Sequence, residues 1–266
     1  MNILAIGTCC VDVFPQKDIV TPGGEALNIS VHLSMREDVH AYLFALIGDD
    51  TYSDRIVNTV KQYNINTDHL YRVKGETANH VIQISDKGER YFENGSWRAG
   101  VSADLSLSHE DQLLLRDMDA VLITLWEKNL PELIKLKDQN HYFIAADCGD
   151  LRDFTQWEDL FGNIDILFFS ADDSMKHVFY EKSKTLNPVF VLTFGEYGSV
   201  AYHEGDIYDC PAVHVKNVVD TTGCGDCYQG HFVAEYFKTK NIQLAMNRAT
   251  LEAAKVTEYV GGFPVR

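Results

Sequence analysis

Positive charge is what this chain of 266 residues has little of: 23 Lys and Arg stand against 39 Asp and Glu, a formal net charge of −16. A field of that sign repels nucleic acid and anionic membrane surfaces, so neither is expected as a partner, and a phosphorylated ligand needs a locally positive pocket. Uninterrupted apolar runs long enough to span a bilayer are also missing, and the opening MNILAIGTCCVDVF has no basic segment of the kind that begins a secretory signal. The expected location is the cytoplasm. Six cysteines are too few for a disulfide framework at this length, and the neighbours Cys9 and Cys10 cannot easily bridge each other, so reduced thiols are expected. There is no internal repeat, low-complexity tract or break in composition. With 45% hydrophobic residues, residues 1–266 read as a single domain with one sizeable core and a small appendage.

Short apolar runs bounded by polar turns recur along the chain: Ile3 to Ile6, Tyr42 to Ile47, Val121 to Leu125, Tyr142 to Ala146, Ile164 to Phe169 and Val189 to Thr193. Each fits a buried strand. Amphipathic stretches lie between several of them, at Tyr52 to Tyr63, Leu130 to Lys137 and Ser174 to Lys184, and this alternation predicts an α/β protein with a largely parallel sheet covered on both faces. Residues Val81 to Trp97 differ, with the period-two segments HVIQIS and RYFEN joined at Asp86-Lys87-Gly88, which predicts a hairpin and a lid. Two amphipathic helices close the chain, marked by Tyr228, Phe232, Val233, Tyr236 and Phe237 and by Ala245, Ala249, Val256 and Val260. Leu27, Ile29, Val31, Leu33 and Met35 alternate strictly, and period alone makes that segment a strand.

The chemistry concentrates in DTTGCGD, Asp220 to Asp226, which runs directly into the helix beginning near Cys227. Glycines let the backbone bend tightly and present N–H groups, and the helix start adds partial positive charge, so the turn suits an anion such as phosphate. A carboxylate at Asp226 is placed to take the proton of an attacking hydroxyl while the amides of Gly223, Cys224 and Gly225 face the transferring group. Taken alone, the same turn serves equally as an ordinary helix entry favoured by an acidic residue. GGEALN, Gly23 to Asn28, pairs two glycines with an amide suited to sugar hydroxyls; LTFGEYGS, Leu192 to Ser199, ends an apolar run in glycines that either leave a slot for a nucleotide base or turn a strand into a hairpin.

In this order, over nearly the whole chain, these motifs resemble the ribokinase-like (PfkB) carbohydrate kinases, whose signatures are a near-N-terminal GGxxxN and a near-C-terminal DTxGAGD. The resemblance implies a doubly wound α/β/α sandwich with a small β lid, here about residues 13–20 and 75–100, and it makes the alternating segment after Gly24 a helix. It implies phosphoryl transfer from ATP with Mg2+ to a hydroxyl of a small-molecule sugar, with Asp226 as base and Gly223, Cys224 and Gly225 as anion hole. Asp12, Gly23, Gly24 and Asn28 match positions that hold sugar hydroxyls. Thr193, Gly195 and Gly198 fall along the nucleotide slot, and Asp220 with Thr222 match a monovalent-cation site that would take K+. A homodimer through the lid is also consistent with the family.

The chain departs from the pattern in two places. Cys224 replaces the small residue of GAGD, and the family's NxxE falls on Ser170-Ala171-Asp172-Asp173, leaving Asp173 as the carboxylate that would hold Mg2+ through water. The phrases IGTCCVDVFP, GGEALN, IGDD and TANHVIQI are similar to those of fructosamine-type kinases such as fructoselysine 6-kinase; for such a substrate, the position of Glu93 and Arg98 between the lid hairpin and the next helix makes them candidates to meet its amino-acid part. Fructokinase or another ketose kinase is the neighbouring alternative. A non-catalytic sugar or nucleotide binder and a redox protein built on Cys224-Gly225-Asp226-Cys227 are the alternatives of other classes.

Overall fold

The structure, a computed structural model, describes residues 1–85 and 90–264. Its first strand, β1 (Asn2–Ile6), alternates between two cores: Ile3 and Ala5 point into one, Leu4 and Ile6 into the other. A strand apolar on both faces must be covered on both, and this one lies in the interior of the main sheet. Beside it run β4 (His40–Ile47) on one side and β9 (Ala120–Thr124) on the other, both parallel to it. Outward from β9 come β10 (Phe143–Asp147), β11 (Ile166–Ser170) and β12 (Val189–Thr193), all parallel. The hairpin β13 (Ser199–His203) and β14 (Asp206–Cys210) closes that edge antiparallel, and the short β5 (Ile65–Asn66) and β6 (Leu70–Arg72) both pair with β4.

One face carries α1 (Glu25–Ser34), α2 (Thr51–Val60), α7 (Cys224–Thr239) and α8 (Ile242–Val256). The other carries α3 (His109–Leu114), α4 (Leu130–Asn140), α5 (Glu158–Phe161) and α6 (Asp173–Ser183). The result is a doubly wound α/β/α sandwich. The chain leaves β1 for β4 on one side and returns to β9 on the other, so the order of strands reverses at β1. In such sheets ligands bind outside the carboxyl ends of the strands at that reversal.

α1 settles the alternating segment as a helix. Every residue from Ala26 to Leu33 is buried, polar Asn28, Ser30 and His32 included, so no solvent face imposes a 3.6-residue rhythm. A second sheet of four strands, in the order β3 (Ile19–Gly23), β2 (Cys10–Phe14), β7 (Ala78–Ile84) and β8 (Arg90–Phe92), forms the lid. β7 and β8 are the expected hairpin; its turn at Asp86-Lys87-Gly88 lies outside the described residues. The first lid arm is longer than 13–20, because pairing of β2 with β3 extends from Cys10 with Gly23 to Phe14 with Ile19.

Candidate active site

Where β10, β11 and β12 end, a cavity of about 380 Å³ opens toward the start of α7. Asp147, Asp150, Ser170 and Thr193 line the strand side, and Gly223 and Asp226 line the helix side. α7 begins at Cys224 behind Gly223, whose φ of 77° is left-handed, a conformation glycine adopts without strain. A side chain at Gly223 would also collide with the backbone of Gly262. The first helical bond runs from Cys227 N–H to the Gly223 carbonyl at 2.9 Å, so the amides of residues 224 to 226 lie ahead of the helix's own hydrogen-bond ladder. The Cys224 amide donates weakly, at 3.3 Å, to the Thr221 carbonyl.

The motif at the other end of the chain meets this turn. Gly24, at φ 95°, lies so close to the Thr8 carbonyl that a Cβ would fall 2.7 Å from it, and Ala26 N–H donates to the same carbonyl at 3.1 Å. This close approach fixes the first turn of α1. One turn on, the buried Asn28 donates from Nδ2 to Asp226 Oδ2 at 2.6 Å. Its Oδ1 is buried without a hydrogen-bond partner and packs against Gly262. Gly23 leaves room for the carboxylate of the buried Asp12, which also accepts from the Cys10 thiol at 3.7 Å.

Glu93 and Arg98 depart from expectation. Residues opposite each other in a sheet share a face, so Asp12, Thr21 and His80 lie together on one side of the lid. Glu93 continues the register opposite Val81, and Arg98 bridges to Asn79, which puts both on the other side. Both are exposed, and Glu93 accepts from Gln83 at 2.9 Å. The lid residue that reaches the Asp12 side is His80, its ring 5.4 Å from that of Trp97. Counting by twos from Asp12 through its paired strand was the available signal for His80, but it requires the pairing of β2 with β7.

On the nucleotide side, Thr193 lines the cavity and donates to the Phe169 carbonyl at 3.2 Å. Gly195 and Gly198, both at positive φ, build the turn from β12 to β13 and do not line it. The hairpin reading of LTFGEYGS therefore describes them. Asp173 is also outside the cavity, exposed and paired with Lys176 at 2.8 Å, while Asp172 caps α6 and pairs with Arg152. Besides Asp226, the carboxylates that line the cavity are Asp147 and Asp150, which the sequence reading missed.

Asp220 is fully buried. Its Oδ1 accepts from the Thr222 amide at 2.9 Å and hydroxyl at 2.7 Å, and its Oδ2 accepts from the Gly261 amide at 2.8 Å. With the Thr222 hydroxyl beside it, this carboxylate forms an oxygen-rich pocket of the kind that suits a monovalent cation. The loop it holds, Gly261-Gly262-Phe263, is a further part of the site that the sequence did not announce: a side chain at Gly262 would strike Asn28.

Acidic charge dominates here. Burial pushes the Glu25 carboxyl well above the usual carboxylate range, and the charges of Asp147, Asp226 and Glu127 push it further. No Lys or Arg among the described residues lines the cavity. Helix-start amides beside clustered carboxylates suit a polyphosphate only when a divalent cation accompanies it.

A doubly wound sandwich with a β lid and a glycine-led helix start at the carboxyl ends of its strands defines the class of ribokinase-like folds. A family model for pfkB family carbohydrate kinases matches residues 3–264, and the chain belongs to that family. It is a sugar kinase. Fructoselysine 6-kinase of Escherichia coli is 28% identical over 98% of this chain and 99% of its own length, and a fructosamine kinase of Bacillus subtilis is 24% identical over 99% and 93%. Arabidopsis thaliana ribokinase, solved with ribose and ATP, superposes with a TM-score of 0.77 over 98% of this chain and 93% of its own, at 15% identity.

Proposed function

We propose that this kinase transfers the γ-phosphoryl group of ATP to a hydroxyl of a fructosamine such as fructoselysine. The observation that carries the site is the 2.6 Å hydrogen bond from Asn28 to Asp226, which joins the GGEALN motif to the turn that lines the cavity. Support for the substrate class comes from two relatives named for fructosamines, one of them similar over its whole length.

In this reading the substrate hydroxyl donates to an Asp226 oxygen. Asp226 takes the proton as the hydroxyl oxygen forms its bond to the γ-phosphorus. The bond from that phosphorus to the bridging oxygen breaks, and ADP leaves with the electron pair. Amides at the start of α7 stabilise the charge on the transferring group, and Asn28 keeps the Asp226 carboxylate aimed. Mg2+ would supply charge neutralisation of the phosphates; Asp147 and Asp150 are the carboxylates placed to hold its water. K+ fits beside Asp220 and Thr222. The lid face bearing Asp12 and His80 closes over the sugar. Neither outer lid strand, β3 or β8, has a second neighbour among the described residues, and edge pairing between two lids would give the homodimer.

The test is Asp226→Asn. It should lower kcat by about 10²- to 10⁴-fold while nucleotide affinity and the melting temperature stay near wild type. Turnover within a few-fold of wild type would remove Asp226 from the role of base.

A further inference from the structure

On another side of α7 from Asp226 lies a larger cavity, about 600 Å³, that shares no lining residue with the first. His32, Cys227 and His231 line it together with Arg36, Glu252 and Tyr259. The first three are nearly fully buried, at 3%, 1% and 5% exposure, and their donor atoms all lie within 4.8 Å of one another. We propose that His32, Cys227 and His231 form a binding site for one divalent transition ion of the zinc class.

Chemistry and backbone geometry agree on this. Cys227 and His231 stand four residues apart on α7, hence on one face one turn apart. His32 comes from α1, which approaches closely because Gly230 presents no side chain: a Cβ there would already touch Leu33 and Ile29 at 3.4 and 3.6 Å. Two imidazoles and one thiolate form a borderline-soft donor set suited to a tetrahedral ion with an open fourth position, and the cavity leaves room for water or another ligand there. Tetrahedral coordination needs donor separations of roughly 3.3–3.8 Å, so modest side-chain closure completes the site. The Gly262 carbonyl accepts from His32 Nε2 at 2.8 Å, which fixes that proton and leaves the lone pair on Nδ1, the usual outer support of a ligating histidine. His231 Nδ1 is buried without a hydrogen-bond partner, which an unliganded role does not explain.

On binding, the S–H bond of Cys227 breaks, its proton passes to solvent and a sulfur–metal bond forms, with no change of oxidation state. Glu252, whose charge acts on both histidines, offsets part of the remaining positive charge. The ion would tie α1 to α7 directly behind the catalytic pair, since His32 is one turn past Asn28 and Cys227 follows Asp226. It would act as a positioning staple rather than as a partner of the substrate.

The test uses the full-length protein, stripped with chelator and titrated with Co2+. The expected result is a thiolate-to-cobalt charge-transfer band that saturates at one equivalent and is displaced by Zn2+. Cys224→Ala should keep the band, Cys227→Ala should lose it, and His231→Gln should weaken the affinity by about 10- to 100-fold. Metal should raise the melting midpoint of wild type but not of Cys227→Ala, whose metal-free melting also reports whether it folds. Should that variant not fold, His32→Gln replaces it, with the same weakening expected as for His231→Gln. Absence of the band in wild type at several equivalents, or its persistence in Cys227→Ala, would overturn the site, as would unchanged affinity in both histidine variants.

Discussion

Asp226 and Asn28 are 198 residues apart, and their contact makes the reacting end of the site depend on small residues around them. Gly262 is the most exposed to test. A Cβ at this position would strike the Asn28 side chain, which would have to leave Asp226. Gly262→Ala should therefore lower kcat by about 10- to 100-fold with unchanged far-UV circular dichroism, whereas Gly162→Ala, where a Cβ meets nothing within 4 Å, should leave it unchanged. Glu25 gives a pH-dependent prediction. Its folded pKa lies well above the ordinary 4.5, so the folded protein holds a proton that the unfolded chain has already released. Its contribution to stability is present below pH 4.5 and is lost as pH rises through the folded value. Glu25→Gln should thus stabilise the protein at neutral pH relative to wild type and make little difference in acid, as urea midpoints at several pH values would show. Asp226, Gly223 and Asn28 were legible because their spacing forms motifs. Gly262 and His80 were not, since a lone glycine pair near the chain end and one histidine in a strand acquire meaning only from what lies across from them.

At the scale of elements, Asp50 couples the sandwich to its lid. Its carboxylate caps α2 by accepting from the Tyr52 and Ser53 amides at 3.1 and 3.0 Å, and it also accepts from the Thr77 amide at 2.8 Å and hydroxyl at 2.7 Å, just ahead of β7. Burial pushes its pKa up, but these hydrogen bonds outweigh it and hold the carboxyl below its usual range. Asp50→Ala should cost about 1–3 kcal/mol in urea unfolding and raise the sugar KM more than the ATP KM, because the base of the lid loses its anchor. Equal effects on both KM values would show that Asp50 serves α2 alone. Six core strands and the helices α2, α4 and α6 were legible from apolar runs and amphipathic stretches, whereas the short α3 and α5 were not. The helix at α1 was not legible from periodicity, because burial on all sides erases the amphipathic signal, and only the GGxxxN resemblance placed it. The β13–β14 hairpin was missed for the opposite reason: Ile207 is exposed and Asp206 and Asp209 are charged, so β14 lacks an apolar run.

For the whole molecule, the −16 charge and the carboxylates around the cavity work against binding a nucleotide polyphosphate, and the start of α7 alone is a modest counterweight. Activity should therefore vanish without a divalent cation, and the KM for MgATP should fall as ionic strength rises, the reverse of a site lined with Lys or Arg. A rising KM would show that the field at the site is positive. The fold class was readable because alternating strands and helices permit few arrangements, whereas substrate choice depends on lid residues that strand pairing alone brings together. The central claim is a fructosamine kinase with Asp226 as base. It is tested most directly by kcat/KM for ADP release from MgATP in K+, with fructoselysine, fructose and ribose as acceptors. The account predicts the highest value for fructoselysine and its loss in Asp226→Asn. A higher value for fructose or ribose, or turnover of fructoselysine that survives the substitution, would contradict it.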